Sequence, residues 1–303
     1  MDPIAKIPVK KTIVFSLISG LIIFTLFKTL VSAGDFSSVI RNVSWPYFFI
    51  AFSIMVPITF LGVTRWYLIL RSIGYNIPYS QIFKIVITGM SLSLIPGRLG
   101  DLARSYPLRN SIPIARSIST IVIEKVVDVS VLIFLSGLGL IALNYHKLGS
   151  LTLVIAILAV PSLWILNTIG HKISVGGRLT EKLHDAISVL NEVKRRKRIF
   201  SLAIFTSCIN WILSIAQVYF IFKSIGEVLP FSVVFAFHPL STFAGLIPIT
   251  IAGAGTRDSA IIYFFRNFST PEQSLAVGIL YSLQAYWILG LLTIPLLYYF
   301  FKD

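Results

Sequence analysis

Two polar stretches interrupt an otherwise apolar chain, and both have the makings of a phosphate site. The first is Leu94-Ile95-Pro96-Gly97-Arg98-Leu99-Gly100-Asp101-Leu102-Ala103-Arg104; the second is Leu246-Ile247-Pro248 followed by Gly253-Ala254-Gly255-Thr256-Arg257-Asp258. A glycine-rich turn leaves backbone N–H groups free, and a helix that starts there presents the positive end of its dipole. An arginine beside it adds a planar fork that binds phosphate oxygens two at a time. Arg98, Arg104 and Arg257 are therefore the candidate phosphate ligands. Asp101 and Asp258 could orient them when the site is empty, and Pro96, Gly97, Gly100, Pro248, Gly253 and Gly255 shape the turns. An ordinary cytoplasmic anchor would also account for Arg98 and Arg104, but less well for Arg257.

A third group lies inside an apolar run. Glu124 and Asp128 are four residues apart and share a helix face, while Lys125 is three from Asp128 and can pair with it. A charge at the centre of a membrane helix costs about 2.5–3.5 kcal/mol on insertion scales. The three groups together predict an interior surface: a polar path or proton-coupling site, or a buried pair that locks helix packing. Arg65, late in its apolar run, is expected to snorkel to the interface. His238, beside Pro239, reads as a satisfied core histidine.

These residues sit in a chain that needs lipid as its solvent. Hydrophobic residues make up 56% of the 303 and charged ones 13%, about half the charged share usual in soluble domains. Apolar runs at roughly 12–32, 46–70, 116–143, 149–168, 199–223 and 272–301 are candidate spans. Two more, 80–96 and 231–251, end in proline breaks and either dip into the membrane and return or cross it. The fold expected is an all-α polytopic membrane protein with six to eight crossings, because only helices satisfy their own backbone in lipid. The first run is too long for a removable signal peptide and lacks a small-residue cleavage site.

The net charge is +14, from 26 Lys and Arg against 12 Asp and Glu. The basic residues gather in a few connections, around Lys10, around Arg98–Arg116, and in Lys194-Arg195-Arg196-Lys197-Arg198. That placement predicts a multi-pass protein of the inner (cytoplasmic) membrane with both termini inside, attracted to anionic lipid and not to nucleic acid. Residues 170–198 read as an amphipathic cytoplasmic linker. Cys208 is the only cysteine, so neither a disulfide nor a thiolate metal site is expected.

A gapless match links the two polar stretches. Residues 71–96 align on 223–248 with nine identities in 26 positions, glycine, serine and proline among them. The loop charges give the two copies opposite orientations, with repeat halves at about 46–143 and 199–302 of one domain, 1–303. Inverted repeats with broken segments at matching places point to a transporter-type site between them. No zinc-protease, nucleophile-elbow or P-loop motif occurs, and no nucleophile lies beside an activator. Nothing predicts an enzyme, a cofactor or a metal.

At Leu94-Ile95-Pro96-Gly97-Arg98-Leu99-Gly100-Asp101-x-x-Arg104, Glu124-Lys125-x-x-Asp128 and Leu246-Ile247-Pro248…Gly253-x-Gly255-x-Arg257-Asp258, the chain resembles a known family. It is the transmembrane, flippase-like domain of lysylphosphatidylglycerol synthases, with its stand-alone bacterial and archaeal relatives. The resemblance covers nearly the whole chain. It departs at Asp101 and Asp258, where the family usually has Glu, and at Lys125, where Arg is common. The resemblance implies a lipid-translocating module, with anionic or phosphate-bearing membrane lipids as partners. Lysine transfer from a charged tRNA is not expected, because the resemblance leaves out the soluble transferase domain. The alternative is a subunit or enzyme of polyprenyl-phosphate-linked glycan or cell-envelope lipid synthesis, partnered by the enzymes of that pathway.

Overall fold

The computed structural model describes residues 9–92, 102–170, 189–246, 250 and 253–297. Every extended element among them is helical: α1 (Val9–Thr29), α2 (Ala33–Arg41), α3 (Trp45–Ser72), α4 (Tyr79–Leu92), α5 (Ile114–Ala142), α6 (His146–Gly170), α7 (Lys197–Ser224), α8 (Phe231–Gly245), α9 (Thr256–Phe265) and α10 (Pro271–Ser282). α10 continues through a π-helical turn, Leu283–Ile288, into the short α11 (Leu289–Leu292). Local sequence sets several boundaries. Thr270 and Gln273 form a capping box around Pro271, satisfying N–H groups that the start of the helix leaves bare.

The 152-residue offset of the repeat reappears in the elements. α7 starts and ends 152 residues after α3, and α8 starts 152 residues after α4. The matching ends are built alike. Gly74 and Gly226 take φ of 98° and 88°, a region closed to most side chains. The next N–H reaches back to close the helix in both copies, Tyr75 to the Leu70 carbonyl at 3.1 Å and Glu227 to the Phe222 carbonyl at 3.0 Å.

α3 and α7 pack along their lengths and run antiparallel. Ser44 N–H donates to the Ser224 carbonyl at 2.6 Å at one end. At the other, Arg196 Nη1 donates to the Arg71 carbonyl at 3.1 Å. The main core gathers Ile69, Val127, Val218, Phe222, Val234 and Phe265 around this pair. A second cluster, with Val63, Trp66, Ile82, Leu108 and Ile121, fastens α4 to α3 and α5. α5 meets α8 through small residues: Ser136 Oγ donates to the Ala236 carbonyl at 2.8 Å, next to Gly139.

Much of the outer surface of the described helices is apolar. Leu17, Phe24, Phe205, Tyr263 and Leu292 are each more than half exposed, which suits lipid and not water. Among the described residues three helices are long and apolar enough to cross a membrane: Trp45–Ser72, Lys197–Ser224 and Pro271–Leu292. A fourth span results if Ser16–Thr29 and Ala33–Arg41, bent by 102°, count as one. α4 and α8, at 14 and 15 residues, extend about 21 and 22 Å, short of the ~30 Å hydrocarbon core. Of the predicted linker 170–198, Gly170, which ends α6, and residues 189–198 are described. Val189 and Val193 are buried in the main core, and Glu192 pairs with Arg116.

The α5–α8 contact has no spare room, since a Cβ on Gly139 would lie 2.5 Å from Ala236 Cα. Gly139→Val should cost about 1–3 kcal/mol through forced separation of the helices. Gly20→Val, where a Cβ meets no atom of the described residues within 4 Å, should melt near wild type. Thermal unfolding in detergent micelles compares the two.

Candidate functional site

The charges on α5 are answered by arginines from elsewhere in the chain. Glu124 and Asp128 are 1% and 3% exposed and stack one turn apart. Arg65 of α3 spans both: Nε and Nη2 donate to Glu124 Oε1 at 3.1 and 2.8 Å, and Nη1 lies 2.8 Å from Asp128 Oδ1. Arg104 pairs with Glu124 Oε2 from the other side. Its guanidinium lies 4.5 Å from the centroid of Trp66, whose Nε1 donates to Thr120 Oγ1 at 3.1 Å. From α7, Ser207 Oγ and Trp211 Nε1 donate to Asp128 Oδ1 at 2.8 and 3.0 Å.

This arrangement corrects the expectation for Arg65. It is 7% exposed and does not snorkel, because two carboxylates inside the bundle lie within its reach. Sequence reasoning missed it as a site residue. The available signal was an arginine within an apolar run that had no acidic neighbour on its own helix.

A cavity of about 240 Å³ opens against this cluster. Arg65, Arg104, Glu124, Lys125 and Asp128 line one side, and Lys125 is half-buried there. Neutral polar groups line another: Asn210, Ser214 and Gln217 of α7, Thr242 of α8, Tyr281 of α10 and Tyr286 of the π turn. Among the described residues the lining thus carries three cationic side chains against two carboxylates. Gln217 Nε2 donates to Gln284 Oε1 at 2.9 Å, tying the π turn to α7.

Arg257 and Asp258 form a separate buried pair, each 1% exposed. Gly255, at φ 92°, caps α9, and its N–H donates to Asp258 Oδ2 at 2.9 Å. Arg257 Nη2 lies 3.4 Å from Asp258 Oδ1 and also bonds Ser282. Its guanidinium lies 4.9 Å from the ring centroid of Tyr281 and 5.5 Å from that of Tyr286. The two tyrosines therefore touch both the cavity and Arg257. Glycines make the fit possible: a Cβ on Gly245 would lie 2.8 Å from Arg257 Cβ, and one on Gly278 only 2.5 Å from Asp258 Oδ1.

The structure brings Arg104, Glu124, Lys125 and Asp128 to one cavity and keeps Arg257 and Asp258 behind the tyrosines. Gly253, at φ 79°, packs on the Gly245 backbone. Pro96, Gly97, Arg98, Gly100, Asp101 and Pro248 lie outside the described residues. His238 is fully buried, with Nε2 at 3.2 Å from Ser214 Oγ and 3.4 Å from Thr242 Oγ1. Among the described residues no group of three His, Cys, Asp or Glu could hold a metal.

Removing Arg65 leaves two buried carboxylates short of a counter-charge. Arg65→Ala should cost about 3–5 kcal/mol. Arg65→Met combined with Asp128→Asn should recover much of that, since Glu124 keeps its pairing with Arg104 and a neutral amide tolerates burial at 128. Thermal unfolding of the variants in one detergent checks both.

Comparison with known proteins agrees with the motifs. The UPF0104 membrane protein MJ1595 of Methanocaldococcus jannaschii is 24% identical over 311 aligned residues, covering 93% of this chain and 92% of that protein. The UPF0104 membrane protein MJ1078 of the same organism is 28% identical over 214 residues, covering 64% and 87%. Residues 13–293 match the family described as the lysylphosphatidylglycerol synthase TM region, and this membrane protein belongs to that family.

Proposed function

We propose that the protein translocates a phospholipid or lipid-linked phosphate between membrane leaflets. The observation that carries this reading is the cavity within the helical bundle, where the described lining residues include one more cationic side chain than carboxylates. An anionic headgroup would balance that excess, and a low-dielectric surrounding would strengthen its attraction. In this reading Arg98, Arg104 and Arg257 bind the phosphate at successive positions. Asp101 and Asp258 orient arginines, and Glu124, Lys125 and Asp128 line the polar path. The backbone turns at Pro96, Gly97, Gly100, Pro248, Gly253 and Gly255 let the chain approach the headgroup.

The topology we propose is an inverted repeat with both termini in the cytoplasm of a cell whose inner membrane holds the protein. The antiparallel α3 and α7, with equal lengths and like ends, favour it, as do the shortness of α4 and α8. Re-entrant α4 and α8 would face each other across the cavity, which could then open to either side in turn. The gathering of Arg71, Arg116 and Arg196 at one end of the bundle suits the inner surface.

Proteoliposomes with headgroup-labelled phosphatidylglycerol or a short polyprenyl phosphate test the reading. Wild type should scramble at least one of them. Arg98→Ala, Arg104→Gln and Arg257→Gln should each slow it about tenfold or more, since a charge-assisted hydrogen bond is worth about 1.5–3 kcal/mol. No movement of either lipid by folded wild type would overturn it in favour of a role in lipid-linked glycan synthesis.

A further inference from the structure

The cavity changes character along α3. Met55, Ile58, Thr59, Gly62 and Arg65 line it at three- and four-residue intervals, so one stripe of the helix faces it. That stripe is apolar at Met55 and charged at Arg65, about 15 Å further along the axis. α4 runs back beside it: Tyr79 Oη lies 3.1 Å from Thr64 Oγ1, and the Phe83 and Phe60 rings are 5.3 Å apart. Val86, Gly89 and Met90 of α4 line the same cavity. The result is a groove with a guanidinium cluster at one end and apolar walls leading away from it.

Gly62 is the telling residue. A glycine within a helix costs about 0.5–1 kcal/mol relative to alanine, a cost commonly offset when another helix packs closely on it. At Gly139 that happens, but a Cβ on Gly62 would meet no atom of the described residues within 4 Å. The space beside it is therefore not used for helix packing. Its apolar walls suit a hydrocarbon chain, and its charged end suits an anion. At that end Arg104 is 6% exposed and its Nε has no hydrogen-bond partner among the described residues.

We infer that the groove between α3 and α4 holds the hydrocarbon chain of one membrane lipid whose phosphate lies against Arg104, and that Gly62 sets the width of chain admitted. The inference rests on the translocator reading for its choice of ligand, yet it concerns binding and not movement. The lipid lies along α3, with its head at the Arg65 level and its chain toward Met55.

Native mass spectrometry of the full chain in micelles, loaded with phosphatidylglycerol, tests this directly. Wild type should retain one lipid. Gly62→Trp and Arg104→Gln should each weaken retention about tenfold, a change of about 1.4 kcal/mol. Gly62→Leu should weaken it less, and serves if the tryptophan variant fails to fold. If Gly62→Trp or folded Gly62→Leu retains phosphatidylglycerol as wild type does while Arg104→Gln loses it, the groove is wrong and the phosphate site stands. If soluble glycerol phosphate displaces the lipid as well as short-chain phosphatidylglycerol does, the chain adds nothing and the inference fails. Retention lost in both variants, in a protein that scrambles no lipid, would uphold the groove and overturn translocation.

Discussion

An ionised carboxylate in a lipid-embedded bundle must find its counter-charge within a few ångströms, and that demand organises this molecule. Glu124 has arginines on two sides, one from α3 and one from the segment after α4. Asp128 draws the second prong of the same Arg65 fork, plus a hydroxyl and an indole from α7. The partners therefore fix the relative depth of α3, α5 and α7. Apolar side chains alone could slide past one another by a turn at modest cost, whereas displaced charges could not.

The same constraint explains why polarity is concentrated at one place. Charges that must be paired are most economically grouped, and a group of five leaves room for an excess of one sign. Around it the helices are joined by hydroxyls and amides, such as Gln217 to Gln284 and Ser136 to the Ala236 carbonyl. The second buried pair follows the same logic on a smaller scale. Arg257 is held by Asp258, Ser282 and two tyrosine faces, in a space that Gly245 and Gly278 leave open.

Much of this was legible in the residues. The apolar runs at 46–70 and 199–223 placed the ends of α3 and α7 to within two residues, and Ser-Ile-Gly at each carries the local chemistry of the helix stop. Glu124 and Asp128 announced an interior face by their cost in lipid. Their partner Arg65 did not announce itself, since contacts across 59 residues leave no local period to read. Asn210, Ser214 and Gln217 were equally silent: a neutral polar side chain within a span resembles filler until a cavity is seen beside it. Gly62, Gly245 and Gly278 carry meaning only through what lies next to them.

The π turn at Leu283–Ile288 has a consequence for how this site can change over generations. A wide turn accommodates one residue more than an α-helix would, and everything downstream is rotated by the surplus. Each residue of an α-helix turns the chain by about 100°. Tyr286 and Leu289 thus owe their place on the cavity wall to a local excess of backbone. Losing one residue there would leave a regular helix of sound composition whose downstream face points elsewhere. The part of the cavity wall built from this helix is for that reason sensitive to chain length within one short window.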